Sequence, residues 1–252
     1  MRRRPLVITA AVVIAPVLVL GAQVQLARTG ARLDDEAGFR PAGLVFRPGA
    51  DPTRVAWLGD STSTGVGTDD VELSMAYRVS AAVTEGPATL TIVGVSGAQV
   101  HEVVDEQVPE LVDEMGDDLP DLVFVSIGAN DVTALTRLPT FRSRYASLVA
   151  ELDEAAPGAE VVLVGIPDMG TAPRIPAPLR QLTGLRASQL DDAIRDLARE
   201  RGLHHVDLAG RTSRTFSSDP ERYFSADDFH PSPDGHRVWA DAVVDSIREA
   251  GR

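Results

Sequence analysis

From Arg54 onward the chain alternates short unbroken apolar runs with longer stretches in which apolar residues recur every three or four positions. Val55-Ala56-Trp57-Leu58, closed by Gly59-Asp60, is the first run. Thr89 to Val95, Leu122 to Ile127 and Val161 to Ile166 follow, and His205-Val206-Asp207 is a short last one. Strands that are apolar at successive positions, rather than at alternate ones, are covered on both faces. The helical spacing predicts helices over Ser74 to Val83, Phe141 to Leu152 and Leu179 to Arg201. Another is predicted through Val100, Val103, Val104, Leu111, Val112 and Met115, with Pro109 as a kink. A closing helix carries Val238, Ala242 and Ile247 on one face. The pattern predicts an α/β domain over about residues 53–250. It has three layers, an α/β/α sandwich with a mainly parallel central sheet.

The N-terminal fifth breaks this rhythm. Met1-Arg2-Arg3-Arg4 is basic, and Leu6 to Ala22 is a run of 17 residues without a charge. A positive start followed by such a run reads as a signal peptide or a signal anchor over residues 1–22, with the remainder exported: secreted, or anchored at the membrane through the N-terminus. Residues 23–52 hold Gly30, Gly38, Pro41, Gly43, Pro48, Gly49 and Pro52 without sustained periodicity, and read as a linker or N-terminal arm.

Composition narrows the chemistry. With 252 residues, 44% of them hydrophobic, the chain can bury a full core. The absence of cysteine excludes disulfides, thiol nucleophiles and thiolate metal sites. All 24 basic residues are arginine, against 37 acidic ones, for a net charge of −13. Without the three leading arginines the remainder has 21 basic and 37 acidic residues, a net of −16. That balance argues against nucleic acid as a partner, because phosphate neutralisation needs clustered cations.

Ligands of such sheets gather beyond the carboxyl ends of the strands, and four features fall there. Gly59-Asp60-Ser61-Thr62 follows the first strand, where a serine in a tight turn can present both its hydroxyl and its N–H. Ser96-Gly97-Ala98 follows the second, where glycine lets the backbone approach a ligand. Gly128-Ala129-Asn130-Asp131 follows the third; Asn130 offers an amide donor and Asp131 a means of holding the turn. Asp227-Asp228-Phe229-His230-Pro231 precedes the closing helix. There Pro231 keeps His230 out of helical geometry, and a carboxylate three positions earlier can hold Nδ1 and free Nε2 as a base. Taken singly, each also reads as an ordinary turn, cap or surface pair.

Together and in this order, the four features resemble the four blocks of the SGNH (GDSL-type) hydrolase family, from Gly59 to Pro231. The resemblance implies a flavodoxin-like fold and an esterase or lipase that cleaves the acyl esters of a lipid, small molecule or acylated glycan without a cofactor. It makes Ser61 the nucleophile, His230 the base and Asp227 its orienting partner. The N–H groups of Ser61 and Gly97 and the Asn130 amide form the oxyanion hole. Thr62 stands where the family name has leucine, and family spacing favours Asp227 over Asp228. An acyltransferase of the same fold, or a silent exported module that binds glycan or lipid, is the alternative.

Other chemistries lack their strings. There is no Gly-x-Ser-x-Gly elbow, no Gly-x-Gly-x-x-Gly and no Walker A sequence. His101, His204, His205 and His236 are scattered outside metal-ligand spacing, so no metal is expected. Arg137, Arg142 and Arg144 read as a solvated helix face, or as contacts for an anionic substrate. The proline-rich stretch Pro167 to Pro178, which includes Arg174, reads as a semi-rigid loop forming a wall or lid beside the site.

Overall fold

The computed structural model describes residues 21–27, 29–31, 33 and 37–251; the run assigned to a signal peptide or anchor lies outside them but for its last two residues. Six strands form one sheet: β1 (Leu44–Arg47), β2 (Thr53–Gly59), β3 (Ala88–Ile92), β4 (Leu122–Ser126), β5 (Glu160–Val164) and β6 (His204–Val206). Their spatial order is β1-β3-β2-β4-β5-β6. All pairings are parallel except β1 with β3.

Alternate residues of each strand feed opposite layers. Ala56, Leu58, Val123, Val125 and Leu163 pack beneath helices α4 (Val108–Met115), α6 (Leu138–Ala155) and α7 (Leu179–Arg201). Val55, Trp57, Phe124, Val162 and Val164 pack beneath α2 (Met75–Val83), α8 (Leu208–Ser218) and α10 (Pro233–Ala250). Trp57 and Phe124 stack at the centre of the second layer, ring centroids 4.5 Å apart. Burying both faces of the strands is what the unbroken apolar runs require.

Two features add to the sequence reading. The segment that reads as a linker or N-terminal arm contributes β1, and its preceding residues are docked too: Phe39 N donates to Thr64 O and Ile92 N to Pro41 O. Its order comes from β3, a partner distant in sequence, so no local periodicity announces it. The kink at Pro109 is a widened π-helical turn, Val103–Gln107, between α3 (Val100–Glu102) and α4. Proline lacks an N–H and crowds the carbonyl four residues back, and a π turn makes room for both.

Candidate active site

If β1 is set aside, the strand order is that of a flavodoxin-like sheet, whose direction of winding reverses between β2 and β4. Ser61 follows β2, Asn130 follows β4, and both line a cleft of about 570 Å³, counting the part open to solvent, together with His230.

The turn carrying Ser61 is specified by its neighbours. Gly59 has φ 139°, and a Cβ there would come within 1.9 Å of the Ser126 carbonyl oxygen. Only glycine fits. Gln107, buried in the π turn, clasps this peptide: Gly59 N donates to Gln107 Oε1 and Gln107 Nε2 donates to Gly59 O, both at 2.8 Å. Asp60 caps the short helix α1 (Ser61–Thr64), accepting from Thr62 N at 3.0 Å and Thr62 Oγ1 at 2.8 Å. Burial pushes the Asp60 carboxyl up to about 6, against the Thr62 hydrogen bonds that favour its charge. Ser61, first in α1, carries one of the N–H groups that helix geometry leaves without an intrahelical acceptor.

His230 lies on a narrow loop after α9 (Pro220–Tyr223), closed by a bridge between Phe224 and Pro231. Asp227 Oδ1 accepts from the backbone N–H groups of Phe229 at 3.0 Å and His230 at 2.9 Å, while Oδ2 lies 2.7 Å from His230 Nδ1. Burial opposes the charge on Asp227, but the hydrogen bonds from the side chain and backbone of His230 outweigh it and hold the carboxyl below its usual range. With Nδ1 engaged, His230 Nε2 lies 3.1 Å from Ser61 Oγ. Asp228 is exposed, at φ 59°.

Asn130 Nδ2 donates to Ala98 O at 2.9 Å and, more weakly, to Asp60 Oδ2 at 3.4 Å. Asp131, on α5 (Ala129–Thr133), accepts from Val100 N at 3.0 Å and ties the Asn130 turn to the start of α3. Gly97 adopts φ 89° on the turn after β3, exposed and one residue from the carbonyl that holds Asn130, but it is not among the residues lining the cleft. Ser61, Asn130, Asp227 and His230 therefore converge, and Gly97 stays at the margin.

The rest of the cleft was not singled out residue by residue from the sequence. Phe216, Phe224 and Trp239 form an apolar wall, and the proline-rich loop supplies Pro167, Met169 and Ala172. From the same loop, Arg174 Nη1 reaches to 3.5 Å from Asp227 Oδ2. The available signal was an arginine with no acidic residue within five positions, whose counter-charge had to be tertiary. On α6, Arg142 pairs with Asp196 of α7 and Arg144 lies against His101 of α3, and neither they nor Arg137 lines the cleft.

A hydroxyl, an imidazole and a carboxylate in this line can pass the hydroxyl proton to the imidazole while the carboxylate steadies the cation formed. Residues 57–238 match the model of the GDSL-like lipase/acylhydrolase family. A GDSL-like esterase of Mycobacterium tuberculosis is 32% identical over 199 residues, which is 77% of this chain and 61% of that protein's length. Among solved structures, an α/β hydrolase enzyme from the metagenome of Lake Arreo is similar at TM-score 0.59 and 21% identity, covering 80% of this chain and 96% of that one. Phospholipase A1 from Streptomyces albidoflavus is similar at TM-score 0.58 and 20% identity, covering 79% and 99%. At those identities the solved structures speak for the fold.

Proposed function

The chain belongs to the GDSL-like lipase/acylhydrolase family, and we propose that it hydrolyses acyl esters through a covalent intermediate on Ser61. The observation that carries this reading is the hydrogen-bonded line from Ser61 Oγ to His230 Nε2 and from His230 Nδ1 to Asp227, at 3.1 and 2.7 Å. Ser61 Oγ attacks the ester carbonyl carbon as its proton passes to His230 Nε2. Asp227 holds the Nδ1–H and balances the imidazolium. The tetrahedral oxyanion takes hydrogen bonds from Ser61 N–H and Asn130 Nδ2, whose 3.4 Å bond to Asp60 is the one that yields, with Gly97 N–H at the margin of the cleft as the third candidate donor. Collapse expels the alkoxide, which takes the proton from His230 and leaves the acyl group on Ser61. Water then attacks the acyl carbon as its proton passes to His230, and the second tetrahedral intermediate collapses with Ser61 Oγ leaving, reprotonated by His230, as the acid departs.

The apolar wall of Phe216, Phe224 and Trp239 suits the acyl chain of a lipid or small ester. The N-terminal apolar run supports export, with the catalytic domain outside and the chain either released or held at the membrane. Among the described residues no helix is long and apolar enough to cross a membrane. Mass spectrometry of the mature N-terminus separates release from anchoring.

The test is turnover of p-nitrophenyl esters of graded chain length by the full chain in detergent. Ser61→Ala is expected to lower kcat by roughly 10⁴-fold or more, as loss of the nucleophile does in serine hydrolases. Equal turnover by Ser61→Ala and wild type would overturn the reading.

A further inference from the structure

The Asp227 carboxylate has a second basic neighbour besides His230. Arg174 Nη1 lies 3.5 Å from Asp227 Oδ2, the same oxygen that meets His230 Nδ1. The Arg174 side chain is 15% exposed and that of Asp227 fully buried, so solvent screens this contact less than a surface pair. The Arg174 backbone N–H donates to Asp228 O at 3.0 Å, and its guanidinium lies 5.9 Å from the centroid of the Phe229 ring. Arg174 thus touches three consecutive residues of the loop that carries His230.

The other side of the same guanidinium faces the N-terminal segment. Arg174 Nε donates to Ala27 O at 2.8 Å. Gly30 is packed so closely that a Cβ there would lie 2.7 Å from Arg174 Nε. The helical residues 21–27 are fastened to the same loop by Gln23, whose Nε2 donates to Ala177 O at 2.5 Å and whose Oε1 accepts from Leu179 N at 3.2 Å. Helical residues outside the catalytic domain thereby fix where the Arg174 charge sits.

We propose that Arg174 is a positioning residue for the Asp227–His230 pair, and that Gln23, Ala27 and Gly30 belong to the active-site support because they hold Arg174 in place. This rests on the catalytic reading given above. A cation beside Asp227 Oδ2 opposes protonation of the pair, so its removal lets His230 take up a proton at higher pH. Among the described residues, the other charged or titratable groups placed against the pair or lining its cleft are Asp60 from the turn after β2, His236 from α10 and Asp168 from the proline-rich loop, and Asp228 is exposed beside Asp227 in the chain. All four remain in an Arg174 variant, so the difference from wild type isolates Arg174.

The experiment uses the full chain in detergent, with two readouts: the pH profile of kcat/KM on a p-nitrophenyl ester, and titration of the His230 ring by NMR. Arg174→Gln is expected to move the acid limb and the ring titration upward together by about one pH unit, a shift of the size one neighbouring cation produces. KM should stay within about two-fold, since Arg174 is not among the residues lining the cleft. Arg174→Lys should restore most of the shift. Gly30→Ala, which displaces the guanidinium without touching Asp227, should give a smaller shift in the same direction, and none when added to Arg174→Gln. An Arg174→Gln ring titration matching wild type, or a Gly30→Ala shift that persists in the Arg174→Gln background, would overturn the proposal. The ring titration does not depend on turnover. Failure of the catalytic reading, seen as activity in Ser61→Ala, is therefore told apart from failure of this one.

Discussion

Asp191 and His205 form a second carboxylate–imidazole pair, with Nε2 3.2 Å from Oδ1, against 2.7 Å between His230 Nδ1 and Asp227 Oδ2. Both pairs are buried or nearly so, and both carboxylates also accept backbone N–H groups, Ile166 N in the case of Asp191. What separates them is the space around the imidazole. The ring of His230 has Ser61 Oγ on its far nitrogen and the cleft beside it. The ring of His205 meets the backbone at Gly165, where a Cβ would stand 3.0 Å from Nε2 and 2.5 Å from Asp191 Oδ1. One pair opens onto a hydroxyl and a void, and the other is a packing device between α7 and β6. Residue type and distance alone do not distinguish a candidate acid–base group from a structural tie.

The sharpest way to break this contrast is to make the same change in both carboxylates. Asp227→Asn is expected to lower kcat by roughly 10⁴-fold, because an amide leaves the imidazole in the wrong tautomer. Asp191→Asn keeps an acceptor for Ile166 N and should leave kcat within about two-fold, at a cost of about 1 kcal/mol in stability. Parallel kinetics and thermal unfolding of the two variants check this, and equal losses of kcat would erase the distinction.

A smaller effect is expected beside the active pair. Asn130→Ala removes one oxyanion donor and should lower kcat by roughly 10²–10³-fold, with the melting temperature little changed. Loss of activity in proportion to loss of folded protein would instead make Asn130 a structural tie to Ala98 and Asp60.

The smallest test concerns a third histidine. His236 is fully buried, accepts from Met75 N at 3.2 Å on Nδ1 and donates from Nε2 to Val66 O at 3.0 Å. Burial pushes its imidazole down to about 4. Between about 6.5 and 4 the unfolded chain therefore binds the proton and the folded one does not. The His236 contribution is complete above 6.5 and is lost as pH falls through that window, roughly 3 kcal/mol in all. Asp60, raised from 3.8 to about 6, works the other way: the folded state holds its proton there, so that contribution fades as pH rises. Chemical denaturation at pH 7 and pH 4.5 should show wild type losing stability relative to His236→Gln on acidification. Parallel profiles would disprove it.

These contrasts also mark what a linear reading can reach. The central strands and α7 were legible because burial on both faces leaves an apolar run, and burial on one leaves a stripe. Ser61, Asn130, Asp227 and His230 were legible as candidates because each stands just beyond a strand end or just before the closing helix, and the blocks that hold them come in the order of a known family. β1 was not, since Leu44-Val45-Phe46-Arg47 becomes a strand only against β3. Gln107 and Arg174 were not, because the groups they hold lie 48 and 53 positions away, at Gly59 and Asp227. What the sequence hid is the scaffolding between elements, which is where pairwise contacts at long separation decide the geometry.

The two rims of the sheet carry a consequence for how copies of this protein meet. β1 offers four residues and β6 three, both too brief to template another chain's strand. A chain begun at residue 53, the start of the alternating pattern, would lose β1 and bare the threonine-rich backbone of β3 along the side β1 now covers. That surface invites strand addition between molecules. Residues 44–47 thus cover that edge, and a chain trimmed of them is expected to self-associate more than the full one, which light scattering of the two lengths checks.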